Sequence, residues 1–304
     1  MSDTQVSQDQ AQAQEQAAAG GQVSTASLWG DAWHQLRRNP FFVISALLVL
    51  LFIVMAIAPQ LFTNADPRSC NLSNSLERPS AEHWFGFDLQ GCDYYARVIY
   101  GARASIAVGL LVTAGAALIA VVLGSMAGYY GGVRDSVISR FADFVFALPF
   151  LLGAIVFLSV IERRGIREVA FVLIVFIWPI MTRLMRSAVI AARENDYVAA
   201  ARALGASDFR IIRKHILPNA IAPVVVYATV LIGLIIAAEA TLTFLGVGLQ
   251  LPAISWGLQL SNARTRLLTD PHLLLFPGIF VALTVFAFVL MGDALRDALD
   301  PKLR

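Results

Sequence analysis

Residues 104–128 read ASIAVGLLVTAGAALIAVVLGSMAG, a run without a single Asp, Glu, Lys or Arg. About 20 helical residues rising 1.5 Å each cross the ~30 Å hydrocarbon core of a bilayer. Only a helix or a closed barrel satisfies its backbone there, and the run lacks the period-2 alternation of a barrel strand. It reads as a transmembrane helix. Working outward, similar stretches lie at 41–62, 141–161, 169–190, 221–245 and 273–291. Arg183 and Arg186 interrupt the second half of 169–190, and long arginines near a helix end can reach the interface. Pro149, Pro179, Pro223 and Pro277 lie in or near these stretches, where neighbouring helices tolerate a kink. The predicted fold class is all-α, a polytopic membrane protein with six transmembrane helices.

Composition agrees. Of the 304 residues, 58% are hydrophobic and 14% charged, against roughly 25% charged in soluble domains. Mean hydropathy is +0.68. These values exclude a disordered chain, a coiled coil and a disulfide-packed secreted module. A net charge of +2 gives no sign of a nucleic-acid partner, which calls for a concentrated basic face. Residues 1–30 contain SQDQAQAQEQAAAGGQ and no Lys or Arg. A signal peptide needs a basic flank and an apolar run of about 7–15 residues, so this stretch reads as a disordered cytoplasmic tail.

Six spans put both ends on one side. With that side cytoplasmic, the inner segments 31–40, 129–140, 183–220 and 292–304 hold 14 of the 23 Lys and Arg, as the positive-inside rule favours. The expected organisation is a first helix and outer loop over 31–103, a five-helix core over 104–292 with an inner loop at 191–220, and a cytoplasmic tail at 293–304. Cys70 and Cys92 both fall in the first outer loop. An oxidising exterior permits a disulfide there; two unrelated thiols are the alternative. Their spacing does not suit a zinc site, and no His lies at ligand distance.

Catalytic signatures are missing. The chain has no GxxxxGK[ST] loop, no HExxH and no GxSxG. Glu239 is the one carboxylate in mid-span, one turn before Thr243. It is either a helix-packing group hydrogen-bonded to its neighbours or a residue facing a translocation path.

The inner segment ENDYVAAARALGASDFRIIRKHILPNAIAP, residues 194–223, carries the most information. Tyr197 to Leu204 is Ala-rich and helix-prone. Gly205 permits a sharp turn through positive φ. Ser207 can cap a second helix over Asp208–His215, which Pro218 stops. Small residues at 199–201 let another surface approach closely; a surface hairpin lying on the membrane without a partner is the bland alternative.

This segment resembles the EAA loop of ABC importer permeases: E-A-A, three residues, Gly, nine residues, then I-x-L-P. Here Ala199, Ala200 and Ala201 precede Gly205, and His215-Ile216-Leu217-Pro218 closes the pattern. Ala199 replaces the family's Glu and His215 its Ile. The stretch from His83 to Gly109, AEATLTFLGVGLQLPAISWG from Ala238, and the closing MGDALRDALDPKLR resemble the second, C-type subunit of the dipeptide/oligopeptide (and nickel) permeases. That family usually has Arg in place of Cys92.

The resemblance implies a type I importer fold, with one extra N-terminal helix before a five-helix core. It implies a non-catalytic bacterial inner-membrane subunit that works with a homologous second permease, two ATPase subunits, an external solute-binding protein and a peptide solute. No cofactor is expected in this chain; ATP and Mg belong to the ATPases. Docking to them falls to Tyr197, Ala200, Ala201, Leu204, Gly205, Ala206, Ser207 and Phe209. Nickel or another small solute is the nearest alternative. A membrane-embedded enzyme needs paired polar groups at mid-depth, and a passive channel gives the long inner loop no purpose.

Overall fold

The computed structural model describes residues 28–299, so most of the predicted N-terminal tail and the last five residues lie outside it. Every named element is helical. Helix α1 (Leu28–Leu36) starts inside the stretch expected as tail, and α2 (Pro40–Ile57) follows. Asn39 caps α2 by accepting from the Phe41 N–H at 2.9 Å, and Pro40 sits in its first turn, where a missing N–H costs nothing. Helix α3 (Tyr94–Tyr130) begins ten residues before the predicted apolar run, capped by Asp93. Arg103 of α3 donates to the Ala56 and Ile57 carbonyls at 3.0 and 3.3 Å, covering the open end of α2.

The third predicted span differs from expectation. Instead of one helix over 141–161, α4 (Gly132–Phe146) and α5 (Phe150–Val160) meet at 81°. Pro149 has no N–H to continue the ladder, and the residue before a proline is pushed out of the helical region. Helix α6 (Ile166–Arg193) carries Pro179 without a break, buried among its neighbours. Helix α10 (Ala222–Phe244) has Pro223 in its first turn, and α12 (His272–Leu299) passes through Pro277. Among the described residues, five helices, or six counting the bent pair as one span, are long and apolar enough to cross a membrane. The tail boundary placed at 292 falls inside α12.

The bundle centres on α3 against α6. Ala116, Ala120, Gly124 and Gly128 recur every fourth residue along α3. A Cβ at Gly124 would lie 2.9 Å from the Thr182 carbonyl oxygen, and one at Gly128 would lie 2.7 Å from that of Arg186. Small residues thus let the backbones touch, which is how helices associate where lipid is as apolar as leucine. Leu173, Met181, Met185 and Val189 fill the core on the α6 side. A second cluster joins Phe52 and Met55 of α2, Val98 and Ile106 of α3, Phe288 of α12 and Trp256. Trp256 begins α11 (Trp256–Ala263), and its indole N–H donates to the Val98 carbonyl at 2.8 Å.

The connection before α3 is tied at its base. Cys70 and Cys92 are bonded, with Cα atoms 4.0 Å apart. Beside them Arg97 donates to Asp88 in a buried ion pair, and Phe85 stacks on Phe276 of α12 at 3.7 Å.

Candidate functional site

At the opposite end of the bundle, residues 194–221 form a folded-back segment. After α6, Asn195 opens α7 (Asp196–Ala203). Gly205 adopts φ +77°. The Ala206 N–H donates to the Ala201 carbonyl at 3.1 Å and the Gly205 N–H to that of Arg202 at 3.0 Å. These two bonds form a Schellman turn, which a residue with a Cβ enters only at a cost. Helix α8 (Asp208–Ile211) then begins at Ser207. The Ser207 side chain, expected as its cap, makes no capping hydrogen bond.

The second predicted helix, over 208–215, is also corrected. It is α-helical only to Ile211; Ile212–Ile216 form a π-turn, and α9 (Leu217–Ala220) follows. The Leu217 N–H reaches back to the Ile212 carbonyl. Pro218 offers no N–H to the Lys214 carbonyl, so an ordinary α register is interrupted there in any case. Asn219 donates to the His215 carbonyl at 2.8 Å, satisfying one of the oxygens left over.

The predicted docking residues divide into two sets. Leu204 and Phe209 are 88% and 70% exposed, and Tyr197 is 41% exposed; Ala200, Gly205 and Ser207 are exposed beside them. These large apolar side chains are open to an approaching surface. Ala206 is half-buried. Ala201 does not belong to the outer face. It is buried with Val198 and Ile211 in the main core, because positions 198 and 201 share the inward side of α7.

Sequence reasoning missed what holds the segment in place. Tyr129, at the end of α3, donates its hydroxyl to Asp208 at 2.7 Å. Arg202 reaches the same hydroxyl at 3.5 Å. That contact raises the Arg202 pKa above its ordinary value. Arg193 donates to the Gly128 and Tyr129 carbonyls at 3.2 and 2.9 Å. Only the position of Tyr129, just before the Gly131-Gly132 turn, hints at this in the sequence.

Glu239 is fully buried. Its Oε1 accepts from Thr243 at 2.8 Å and from Ser255 at 3.4 Å, while Oε2 has no hydrogen-bond partner among the described residues. Thr243 also accepts from the Leu249 N–H at 3.0 Å, and Ser255 caps α11 through the Leu258 N–H. The carboxylate thus ties α10 to the 246–255 connection and to the start of α11. It faces the interior of the bundle.

Known proteins share this organisation. Residues 120–304 match the family described as binding-protein-dependent transport system inner membrane component. Residues 27–79 match the N-terminal TM domain of oligopeptide transport permease C. The chain is 41% identical to the dipeptide transport system permease protein DppC of Alkalihalophilus pseudofirmus, over 93% of each chain. It is 38% identical to the oligopeptide transport system permease protein OppC of Bacillus subtilis, over 91% of each. The glutathione transport system permease protein GsiD of Escherichia coli O157:H7 is 39% identical, also over 91% of each.

Proposed function

We infer the role of this chain from the family to which it belongs, the inner membrane components of binding-protein-dependent transport systems: it is the membrane-spanning permease subunit of an ATP-driven importer of dipeptides and oligopeptides. Likeness to dipeptide and oligopeptide permeases along nine-tenths of the chain carries this reading. Glutathione, named in a third relative, is itself a short peptide. All three solutes share amide groups and terminal charges.

In this reading the chain is half of a translocation path completed by a homologous permease, with two ATPase subunits beneath and a solute-binding protein above. Both termini and residues 191–220 face the cytoplasm. The exposed ridge of Tyr197, Leu204 and Phe209 sits in a cleft on one ATPase, and the disulfide-tied loop faces outside. ATP and Mg are held by the ATPases, whose closure pulls on the segment between Asn195 and Ala220. The Schellman turn and the Tyr129 anchor make that segment stiff enough to pass displacement to α6 and α10.

Reconstitution tests this. The chain, its partner permease, both ATPases and the peptide-loaded binding protein are assembled in vesicles, and ATP hydrolysis and peptide uptake are measured. Stimulation of hydrolysis by loaded but not empty binding protein is expected. Unstimulated hydrolysis, with no peptide accumulated, would remove the importer reading.

A further inference from the structure

The exposed faces of the spans are not alike. On α2 the exposed side chains include Phe41, Ile44, Leu47 and Leu50, and on the first half of α12 Leu275, Ile279 and Leu283, faces that suit lipid tails; the exposed charges of α12, Asp293, Arg296 and Asp297, lie in its last two turns. On α4 and α6 the exposed set includes Arg140, Asp143, Arg183 and Ser187. Arg183 pairs with Asp143 at 2.5 Å, yet the two side chains remain 43% and 63% exposed.

Direction decides what this pair is for. Asp135 and Asp143 stand eight residues apart on α4, about 12 Å, whereas Arg183 and Arg186 are separated by about 4.5 Å on α6. Arg186 takes Asp135 at 2.5 and 2.6 Å, and Arg183 takes Asp143. The two arginines therefore diverge along the axis. Arg186 leans toward the 191–220 end. Arg183 leans away from it, toward the break at 147–149, and its guanidinium lies 4.4 Å from the centre of the Phe146 ring. Arg183 is ten residues short of Arg193, about 15 Å inside that end of α6. An arginine bathed in lipid extends the other way, to reach headgroups.

We propose that this exposed pair faces water in the assembled permease pair, and that Arg183 and Asp143 line the solute path in the half nearer residues 191–220. There they contact the terminal charges and amide groups of a passing peptide. An exposed guanidinium beside a carboxylate offers a donor fork and an acceptor together. Any peptide main chain carries the complementary carboxylate and N–H groups, whatever its side chains. The assignment rests on the peptide-importer reading above.

Cysteine labelling of the whole reconstituted transporter tests it. Both native cysteines are bonded, so a single introduced thiol is the reporter. Ser187→Cys, Asp143→Cys and Leu47→Cys are treated with a charged, membrane-impermeant methanethiosulfonate, whose sulfenyl sulfur is attacked by the thiolate that forms where water reaches, giving a mixed disulfide and releasing methanesulfinate. Positions 187 and 143 are expected to react and 47 to stay silent, with peptide import slowing the reaction at 187, where the Arg183–Asp143 pair is intact. Silence at both 187 and 143 overturns the proposal.

Arg183→Gln and Asp143→Asn are expected to assemble, since exposed ion pairs add little stability, but to lose peptide uptake. Normal uptake by both variants sinks this proposal alone, because the importer reading stands on wild-type uptake.

Discussion

Tyr129 and Asp208, 79 residues apart in sequence, share a 2.7 Å hydrogen bond that fastens the end of α3 to the start of α8. The bond joins the longest span to the segment proposed to dock on an ATPase. In that reading a pull on α8 would reach α3 as well as the flanking α6 and α10.

Tyr129→Phe keeps the ring and removes only this donor. A single hydrogen bond to a charged acceptor contributes about 1.5–3 kcal/mol, and partial exposure places the loss at the low end. The variant is expected to fold, assemble and hydrolyse ATP with weaker stimulation by loaded binding protein. Unchanged stimulation, measured in vesicles, would show that the bond does not transmit motion.

Gly205→Val and Ala200→Trp probe the turn and the docking face separately. No atom lies within 4 Å of a Cβ built on Gly205, so the first carbon of a side chain has room there, and valine suffers chiefly from φ +77°, a strain of roughly 1–2 kcal/mol. Ala200 is exposed, and tryptophan there blocks a partner without disturbing the bundle. Both are expected to lose transport while remaining paired with the second permease. Ala201→Trp is expected instead to lower thermal stability, because Ala201 is part of the core. If Ala200→Trp transports normally in an uptake assay, the docking face lies elsewhere.

Glu239→Gln is expected to be tolerated, since a carboxamide oxygen still accepts from Thr243 and Ser255. Glu239→Ala leaves both hydroxyls short of an acceptor in a buried site, at about 1–3 kcal/mol. The melting temperature of the purified subunit pair reads the difference. Equal loss in the two variants would show that charge, not hydrogen-bond acceptance, is what the site requires.

Removing the Cys70–Cys92 bond frees a loop with a sequence separation of 22, for which the chain-entropy relation gives roughly 3 kcal/mol. Cys70→Ser with Cys92→Ser is expected to lower the melting temperature, and non-reducing mass spectrometry of the parent should recover the linked peptide. Freely alkylated thiols in native membranes would refute the bond.

A reporter inserted near Asp135 should read cytoplasm and one near Asn74 outside. A cytoplasmic reading at Asn74 would invert the topology and leave residues 197–209 on the wrong side for an ATPase.

The sequence by itself determined the helical class, the positions of five of the six spans and the turn at Gly205. Each depends on local chemistry: an uncharged run long enough for a bilayer, and a residue without a Cβ where φ must be positive. Tertiary structure alone decided three other matters. Ala200 and Ala201 are chemically identical neighbours, and only the rotation of α7 on Val198 and Ile211 sends one outward and the other into the core. The 141–161 run is apolar enough for one span, yet Pro149 turns it by 81° while Pro179, packed on both sides, leaves α6 intact; whether a proline breaks a membrane helix depends on what packs around it. Arg183 and Arg186 look like a matched pair in sequence. Their opposite directions follow from Asp143 and Asp135, forty and more residues away, which no local pattern could have joined to them.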